Sequence, residues 1–211
     1  MEQPFDFIRE QKEFYQPKTE PSIVDVPEFT FFAVDGAGDP NAEAGQYAEA
    51  MRLLYALSYT VKMGGKKLPL PGYFEYRVPP LEGFWQMSGG KPGVDYDDKA
   101  GFVWTSLIRQ PEFVDEAAFD WVCGEVREKK GLDVSRARLL RYREGLCVQV
   151  LHIGPYDAEP ASVAKMDAYR AALGYQSDLG ARRHHEIYLG DPRKAAPEKL
   201  KTIVRHPVVK L

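Results

Sequence analysis

Cysteine, long apolar runs and any excess of positive charge are all scarce in this sequence of 211 residues. Its two cysteines, Cys123 and Cys147, are too few for a disulfide framework, and no Cys-x-x-Cys pair occurs that could bind zinc. No stretch approaches the ~18 consecutive apolar residues of a membrane span, and the first residues lack the basic-then-apolar pattern of a secretory signal. The sequence therefore predicts a reduced protein of the cytoplasm, with no membrane partner.

The charge balance disfavours nucleic acid as a partner. The sequence has 28 Lys and Arg residues and 31 Asp and Glu residues, which gives a net charge of −3, whereas nucleic-acid-binding proteins usually carry a basic excess. The residues ahead of the first predicted strand are too few for a helix-turn-helix, so we expect no direct contact with DNA. Aromatic residues, by contrast, make up 12% of the chain, enough to line a pocket as well as fill a core.

Local patterns predict an α+β fold in which an arm over residues 1–21 precedes a domain over 22–211. Runs of β-branched and aromatic residues predict strands at 23–26, 29–34, 73–78, 81–87, 102–109, 137–143, 147–153, 184–189 and 202–209. Helical periodicity predicts one helix that begins at Asp39 and Pro40, a second over 114–130 that stops at Gly131, and a third after Asp157.

The order of these elements repeats within the chain. Gly36 and Gly154 lie 118 residues apart, as do Asp39 and Asp157. At the same spacing, inward positions of the first helix fall on those of the third: Ala48, Met51 and Tyr55 on Met166, Tyr169 and Leu173. The alternative is that two unrelated stretches of this kind share a few chance matches.

If the repeat is real, it predicts two βαββ modules over about 30–109 and 147–209, related by a pseudo-two-fold axis. Their antiparallel sheets would join, with the helices on one face. We expect a ligand groove along the other face.

One predicted strand carries the candidate catalytic group. Alternation along 184–189 sends His184, Glu186 and Tyr188 to one face, and Ile187 and Leu189 to the helix-packed face. A carboxylate and a phenol about 7 Å apart can serve as a general base and as a donor to an oxygen that gains charge. The alternative is a solvated strand face on which Glu186 pairs with a histidine or an arginine.

Metal and thiol chemistry find little support. Adjacent His184 and His185 point to opposite faces of a strand, so they cannot chelate one ion together, and no His-Glu-x-x-His motif occurs. We therefore predict no metal and no cofactor. Both cysteines are expected to be buried, unpaired and small hydrophobes rather than nucleophiles. Trp85 and Trp104 are the candidates for flat walls that stack on a planar ligand.

Four runs of residues, in order along the chain, resemble the GyrI-like small-molecule-binding family. They are 26–28 with 34–41, 78–85, 102–111, and 184–192 with 199–202, and they span roughly residues 20–210. The resemblance implies a duplicated βαββ fold in which a buried glutamate, at position 186 here, meets lipophilic cations between aromatic walls. Phe84 and Gln86 depart from the Leu and Trp that are frequent in the family, which concerns pocket shape rather than the glutamate.

The stand-alone branch that this chain is similar to includes hydrolases of cyclopropanoid genotoxins of the yatakemycin type. The resemblance implies that Glu186 activates water and that Tyr188 or Tyr76 stabilises the developing phenolate. The ligand-binding residues would be Tyr76, Trp85, Trp104 and His184. The alternative is a non-catalytic protein that binds or sequesters lipophilic cations. A gyrase-type inhibitor would need an exposed interaction surface, and the sequence identifies none.

Overall fold

A computed structural model describes residues 3–43, 45–65, 70–90 and 92–210. Its strands form one antiparallel sheet in the order β4-β1-β3-β2-β6-β7-β5, and a further pairing of β4 with β7 closes six of them into a barrel. The strands are β1 Ser22–Ala37, β2 Leu81–Met87, β3 Phe102–Gln110, β4 Ala137–Ile153, β5 Tyr175–Ser177, β6 His184–Tyr188 and β7 Lys201–Lys210. The predicted α+β class with antiparallel strands is confirmed.

Within the described ranges, three long helices and two single-turn helices accompany the barrel. They are α1 Phe7–Glu10, α2 Lys12–Tyr15, α3 Gln46–Gly64, α4 Glu116–Lys130 and α5 Glu159–Ala172. Helix α4 matches its prediction, because Asp115 caps its first turn and Gly131 ends it at a left-handed φ of 62°. None of the helices in the described ranges is long and apolar enough to cross a membrane.

Strand pairing repeats between the two halves of the chain. In the first half β1 pairs with β3 and β3 with β2; in the second, β4 pairs with β7 and β7 with β6. The halves join through β1 with β4 and β2 with β6. The first half thus has the order strand, helix, strand, strand, with α3 as its helix, and the second half has the same order around α5 with the short strand β5 added. Superposition of the two halves about a pseudo-two-fold axis stays a prediction.

The spacing of 118 residues does not extend into the helices. Asp39 caps only a local turn, where its carboxylate accepts from the backbone N–H of Asn41, and α3 begins at Gln46. The connection is shorter before α5, which begins two residues after Asp157. The predicted helix faces are therefore partly wrong: Ala48, Tyr55, Tyr169 and Leu173 are exposed. The helical periodicity also predicts Ala44 on the inward face of the first helix, and this residue lies outside the described ones.

Two pairs of predicted strands are continuous, and one predicted strand is absent. β1 passes through Pro27, and β4 passes through Gly145 at a φ of 69°. This left-handed residue breaks the alternation of β4, so that Glu144 and Cys147 face the same side of the sheet. Residues 73–78 form no strand; there, Tyr76 makes an isolated parallel bridge with Phe5.

The sheet has an interior and an outer face, and both are covered. Phe84 of β2 contacts Tyr142 of β4 (ring centroids 5.0 Å apart), although these strands are not neighbours, so their side of the sheet is the barrel interior. Helices α3 and α5 pack on the outer face. The arm covers the interior, where Phe14 packs in one cluster with Ile187. The open groove expected away from the helices is therefore filled by the arm.

Candidate functional site on the outer face

Glu186 lies on the outer face of β6, between the part of the sheet that α3 covers and the part that α5 covers. Its backbone pairs with Gly83 of β2 on one side and with Val204 of β7 on the other. The side chain is buried, with 6% of the residue exposed. The prediction that Glu186 and Tyr188 face away from the helices is wrong, because Tyr188 packs in the same cluster as Tyr47 of α3.

A pair of histidines orients the carboxylate. Nε2 of His184 lies 2.9 Å from Oε1 of Glu186, and Nδ1 of His184 lies 2.7 Å from Nε2 of His206 on β7. Burial, and then the neighbouring His184, lower the pKa of His206 well below its usual value, so His206 is neutral. If His206 donates to Nδ1 of His184, then His184 donates from Nε2 to Glu186, and both histidines have defined tautomers.

Trp85 connects the first half of the chain to Tyr188. Its indole N–H donates to the Tyr188 hydroxyl at 2.9 Å. The ring crosses Gly83, where a Cβ atom would lie 2.6 Å from the indole nitrogen and 3.1 Å from the Tyr188 oxygen. Burial, and then the charge of Glu186, raise the pKa of Tyr188, so this phenol keeps its proton and remains a donor.

A second tryptophan is placed in a similar way. Trp104 of β3 lies over its cross-strand partner Gly36, where a Cβ atom would meet the ring at 2.2 Å. Tyr47 at the start of α3 packs between the two indoles, edge-on to Trp104 at 5.1 Å and tilted on Trp85 at 5.6 Å. These rings form an aromatic wall on the α3 side of Glu186.

A second carboxyl group reaches the site from α5. Glu159, the first residue of that helix, is fully buried, and its Oε2 lies 3.9 Å from Nε2 of His184. Tyr96, from the connection between β2 and β3, donates to the same oxygen at 2.7 Å. Nearby, Lys99 pairs with Asp157 at 2.8 Å, so the β2–β3 connection is tied to the start of α5.

Tyr156 completes the enclosure. It belongs to the 3-10 turn Tyr156–Ala158 and meets the ring of Tyr188 edge-on at 5.7 Å. Burial, and then the charge of Glu186, raise its pKa to about 12. Tyr96 therefore contacts Glu159, and Tyr156 contacts the phenol next to Glu186.

Most of the predicted site residues do come together. Trp85, Trp104, His184, Glu186 and Tyr188 all share the outer face between α3 and α5. The placement of Tyr76 beside them is wrong: it is fully buried beneath the arm, with its ring centroid 6.5 Å from that of Phe7. Five further residues of the candidate site are not among the residues predicted from the sequence: Tyr47, Tyr96, Tyr156, Glu159 and His206.

His185 points into the barrel interior, as alternation requires, and there it joins a buried network of charges. Its Nδ1 lies 3.1 Å from Glu144 and its Nε2 lies 3.0 Å from Glu82. Burial alone would favour the neutral imidazole, but Glu144 and Glu82 outweigh it and raise the pKa of His185 to about 9. Burial likewise disfavours the charged form of Glu144, yet His185 and Arg205 outweigh burial and lower the pKa of Glu144 to about 2.

This network holds the arm in place. Arg205 donates to the backbone carbonyl of Phe14 at 2.7 Å, and Tyr15 donates to Glu82 at 3.2 Å. Arg109 donates to Gln11 and Tyr15. The space left between the arm and these groups is about 10 Å³, room for a single water molecule. This part of the interior is therefore a structural anchor rather than a ligand pocket.

The outer-face site also offers a set of possible metal ligands. One atom each from Glu159, His184 and Glu186 lie within 4.8 Å of one another. Carboxylate and imidazole groups suit several divalent cations. The atom that His184 would offer already lies against Glu186, and the absence of a metal stays a prediction.

Comparisons with known proteins identify the family. The sequence profile of the GyrI-like small molecule binding domain matches residues 19–209. The chain is similar to a hydrolase from Listeria innocua, at 47% identity and a TM-score of 0.90, over 98% of this chain and 100% of that one. An uncharacterized conserved protein from Listeria innocua matches equally well, at 47% identity and a TM-score of 0.90, over 97% of this chain and 100% of the other.

A more distant structure shares the fold. The C-terminal domain of EcmrR superposes with a TM-score of 0.53 at 13% identity, over 91% of this chain and 98% of that domain. A search of curated proteins finds no match. The match covers nine-tenths of the sequence and includes the four runs of residues that resemble this family. The chain therefore belongs to the GyrI-like small-molecule-binding domain family.

Proposed function

We propose that this protein binds planar aromatic molecules at the outer-face site and hydrolyses strained cyclopropanoids of the yatakemycin type. The observation that carries the proposal is the buried Glu186 carboxylate, oriented by His184 at 2.9 Å and placed two residues from the phenol of Tyr188. The similarity to a Listeria hydrolase at 47% identity supports the choice of reaction class.

The reaction requires a general base at one end of the substrate and a hydrogen-bond donor at the other. Glu186 removes a proton from water as the water oxygen bonds to the cyclopropyl carbon. The strained carbon–carbon bond breaks, and its electron pair makes the dienone an aromatic phenolate. Tyr188 donates a hydrogen bond to the oxygen that gains this charge, because its raised pKa keeps the phenol protonated. A proton from solvent then completes the phenol.

The aromatic wall holds the flat body of the substrate. Tyr47, Trp85 and Trp104 present large ring surfaces next to Glu186, and Tyr156 packs edge-on against Tyr188. Stacking of this kind orients a planar ligand without specific polar contacts. Enclosure also keeps bulk water away from the reacting carbon, so that the water held by Glu186 is the nucleophile.

Substitution of Glu186 tests the proposal. A planar cyclopropanoid is incubated with the protein, and mass spectrometry detects the product that has gained one water molecule. We expect Glu186→Gln to reduce turnover by about 100-fold or more, the contribution of a general base, while a neutral planar ligand binds as before. Glu116→Gln, at an exposed carboxylate on α4, is the matched control. Unchanged turnover in Glu186→Gln contradicts the catalytic role.

A specific observation favours non-catalytic binding of cations as the second candidate. Glu159 brings a second buried carboxyl group next to Glu186, and such a pair attracts positive charge. Under this alternative the wild-type protein binds planar cations and leaves the cyclopropanoid intact. Glu186→Gln then weakens the binding of cations and leaves neutral ligands unaffected.

A further inference from the structure

Thr202, near the start of β7, has a buried hydroxyl group without a hydrogen-bond partner. The residue is only 1% exposed, and its Oγ1 makes no hydrogen bond with the described residues. Because an unpaired buried polar atom is costly, native proteins rarely keep one without a reason. Valine has the same branched shape and would fill this place in a strand without that cost. The hydroxyl of Thr202 therefore requires a partner that the described residues do not supply.

The register of the strands places Thr202 at the candidate site. Side chains alternate along β7, so Thr202 shares a face with Val204, which packs on the outer face in one cluster with residues of α5. Thr202 lies directly opposite Tyr188 on β6, and Val204 lies opposite Glu186. Thr202 is therefore the diagonal neighbour of Glu186 on the same face of the sheet.

Both cross-strand neighbours of Thr202 have other partners. On one side, the hydroxyl of Tyr188 accepts the indole N–H of β2. On the other side lies His152 of β4, and both of its ring nitrogens are engaged. Nδ1 of His152 lies 2.9 Å from Oγ of Ser162, and Nε2 lies 3.1 Å from the carbonyl oxygen of Pro155. A water molecule is the natural partner, because buried waters bind to polar groups that the protein leaves unpaired.

The spacing on the sheet allows one water molecule to contact both Thr202 and Glu186. Diagonal neighbours on antiparallel strands have Cβ atoms somewhat less than about 7–8 Å apart. A water that makes two hydrogen bonds of about 2.8 Å joins oxygen atoms that lie roughly 5 Å apart. His184 contacts Oε1 of Glu186, which leaves the lone pairs of Oε2 for such a water.

We propose that Thr202 holds the water molecule that Glu186 activates. The water donates one hydrogen to the carboxylate of Glu186 and the other to Oγ1 of Thr202. In the reaction the first hydrogen passes to Glu186 as a proton, and the water oxygen bonds to the cyclopropyl carbon. The second hydrogen stays on the new hydroxyl group of the product. The inference deepens the proposed hydrolysis and rests on it.

Thr202 is then a positioning residue, because it acts through the water molecule. A single hydrogen bond to the carboxylate leaves the water free to rotate about that bond, whereas a second bond to Thr202 fixes its orientation. A nucleophile that is oriented in advance reacts faster, because less freedom is lost on the way to the transition state. The substrate itself is bound by the aromatic wall, so the hydroxyl of Thr202 should affect kcat and leave KM unchanged.

Three variants test this role. Thr202→Val removes the hydroxyl and keeps the branched shape, whereas Thr202→Ser keeps the hydroxyl. Thr60→Val is the matched control, because the hydroxyl of Thr60 donates to the carbonyl of Ala56 within α3 at 2.7 Å. Mass spectrometry follows the hydration of a planar cyclopropanoid and gives kcat and KM. Calorimetry measures the affinity for a neutral planar ligand, and crystal structures of the wild type and Thr202→Val locate the water.

We expect Thr202→Val to lower kcat about tenfold, the effect on rate of one lost hydrogen bond. Its KM and its affinity for the neutral planar ligand should equal those of the wild type. Thr202→Ser and Thr60→Val should keep the wild-type kcat. The wild-type crystal structure should show an ordered water within hydrogen-bond distance of both Thr202 and Glu186, and Thr202→Val should lack it.

A Thr202→Val variant with the wild-type kcat overturns the inference and leaves the proposed function standing, as does a wild-type crystal structure without this water. A higher KM or weaker planar-ligand binding at unchanged kcat also overturns it, because Thr202 then shapes the pocket rather than the water. If Thr202→Val does not fold, the wild-type crystal structure decides. If the wild type does not hydrate the cyclopropanoid, the proposed hydrolysis fails and the inference fails with it.

Discussion

The indole N–H of Trp85 donates to the hydroxyl of Tyr188 at 2.9 Å, across the backbone of Gly83. This hydrogen bond joins β2 of the first half to β6 of the second. It also places one edge of the aromatic wall against the phenol beside Glu186. The absence of a side chain at position 83 allows this contact, because only a glycine leaves room for the indole ring.

A methyl group at position 83 should disturb the site. In Gly83→Ala the new Cβ lies 2.6 Å from the indole nitrogen of Trp85, so the ring must move away from Tyr188. We expect planar-ligand affinity or cyclopropanoid turnover to fall by about 100-fold, the usual effect of misplacing a site by 1 Å. Calorimetry and mass spectrometry measure the two quantities, and tryptophan fluorescence reports the moved ring.

Gly124→Ala is the control for this change. Gly124 lies within α4, and a Cβ there meets nothing within 4 Å. Alanine is a better helix former than glycine by about 1 kcal/mol, so Gly124→Ala should stabilise the protein and leave ligand binding unchanged. Equal effects of the two substitutions would show that the close approach at Gly83 has no bearing on the site.

Removal of the Tyr188 hydroxyl should affect both stability and function. In Tyr188→Phe the indole N–H of Trp85 loses its acceptor, which costs about 1–3 kcal/mol for a buried donor. Loss of the donor to the developing phenolate should also slow turnover by roughly 10²–10³-fold. Urea unfolding and product analysis measure these effects. Tyr169→Phe, on the exposed side of α5, should change neither; turnover that survives in Tyr188→Phe rules this phenol out as the donor.

The interior network predicts how stability varies with pH. The pKa of His185 is about 9 in the folded protein and near 6.5 when unfolded, so its charge stabilises the fold fully below pH 6.5. That contribution, about 3 kcal/mol, is lost as pH rises from 6.5 to 9. The pKa of Glu144 is about 2 when folded against a usual 4.5, so its contribution is present above pH 4.5 and lost as pH falls toward 2.

The combined contribution of His185 and Glu144 to stability should therefore be greatest between pH 4.5 and 6.5. Urea unfolding at a series of pH values measures the free energy of unfolding. Above pH 6.5 this free energy should fall less steeply in His185→Gln than in the wild type. If that variant does not fold, an NMR titration of the wild-type protein gives the same information, because the His185 ring should change protonation near pH 9. A His185 that titrates near its ordinary value would contradict the network.

The thiols should be inert. Cys123 and Cys147 are unpaired, as the sequence predicted, and both are buried. Burial is the main cause that raises the pKa of each thiol above its usual value. We expect a thiol reagent such as Ellman's to label neither cysteine in the native protein at pH 7.5 and both after unfolding. Rapid labelling of the native protein would show that one thiol is accessible.

Alternation along one strand was enough to group His184, Glu186 and Tyr188, because residues two apart on a strand share a face in any sheet. It could not identify what covers that face. Both faces of this barrel are buried, one by α3 and α5 and the other by the arm, so apolar residues alternate with buried polar ones and no solvent-facing side provides a reference. This is why the sequence predicts an open groove on a face that the arm covers.

Some buried charged residues meet only in the folded structure, and the sequence around each of them does not indicate that it is buried. Glu159 is typical of an acidic residue in the first turn of an exposed helix, and nothing nearby in the sequence indicates that it is fully buried. Glu82, Glu144 and His185 are far apart in the chain and meet only because the barrel closes. Charges of this kind are usually exposed, so sequence patterns assign them to the surface.

Arg205 bonds the carbonyl of Phe14 across 191 residues of chain, and this bond bears on how the protein is made. The arm is synthesised before the strand that carries Arg205, and that same strand closes the barrel against β4. Phe7, Phe14 and Tyr15 therefore lack their docking site until β7 has been made. Since such long-range contacts form slowly, the nascent arm exposes its aromatic residues to aggregation during that interval, when a chaperone would protect it.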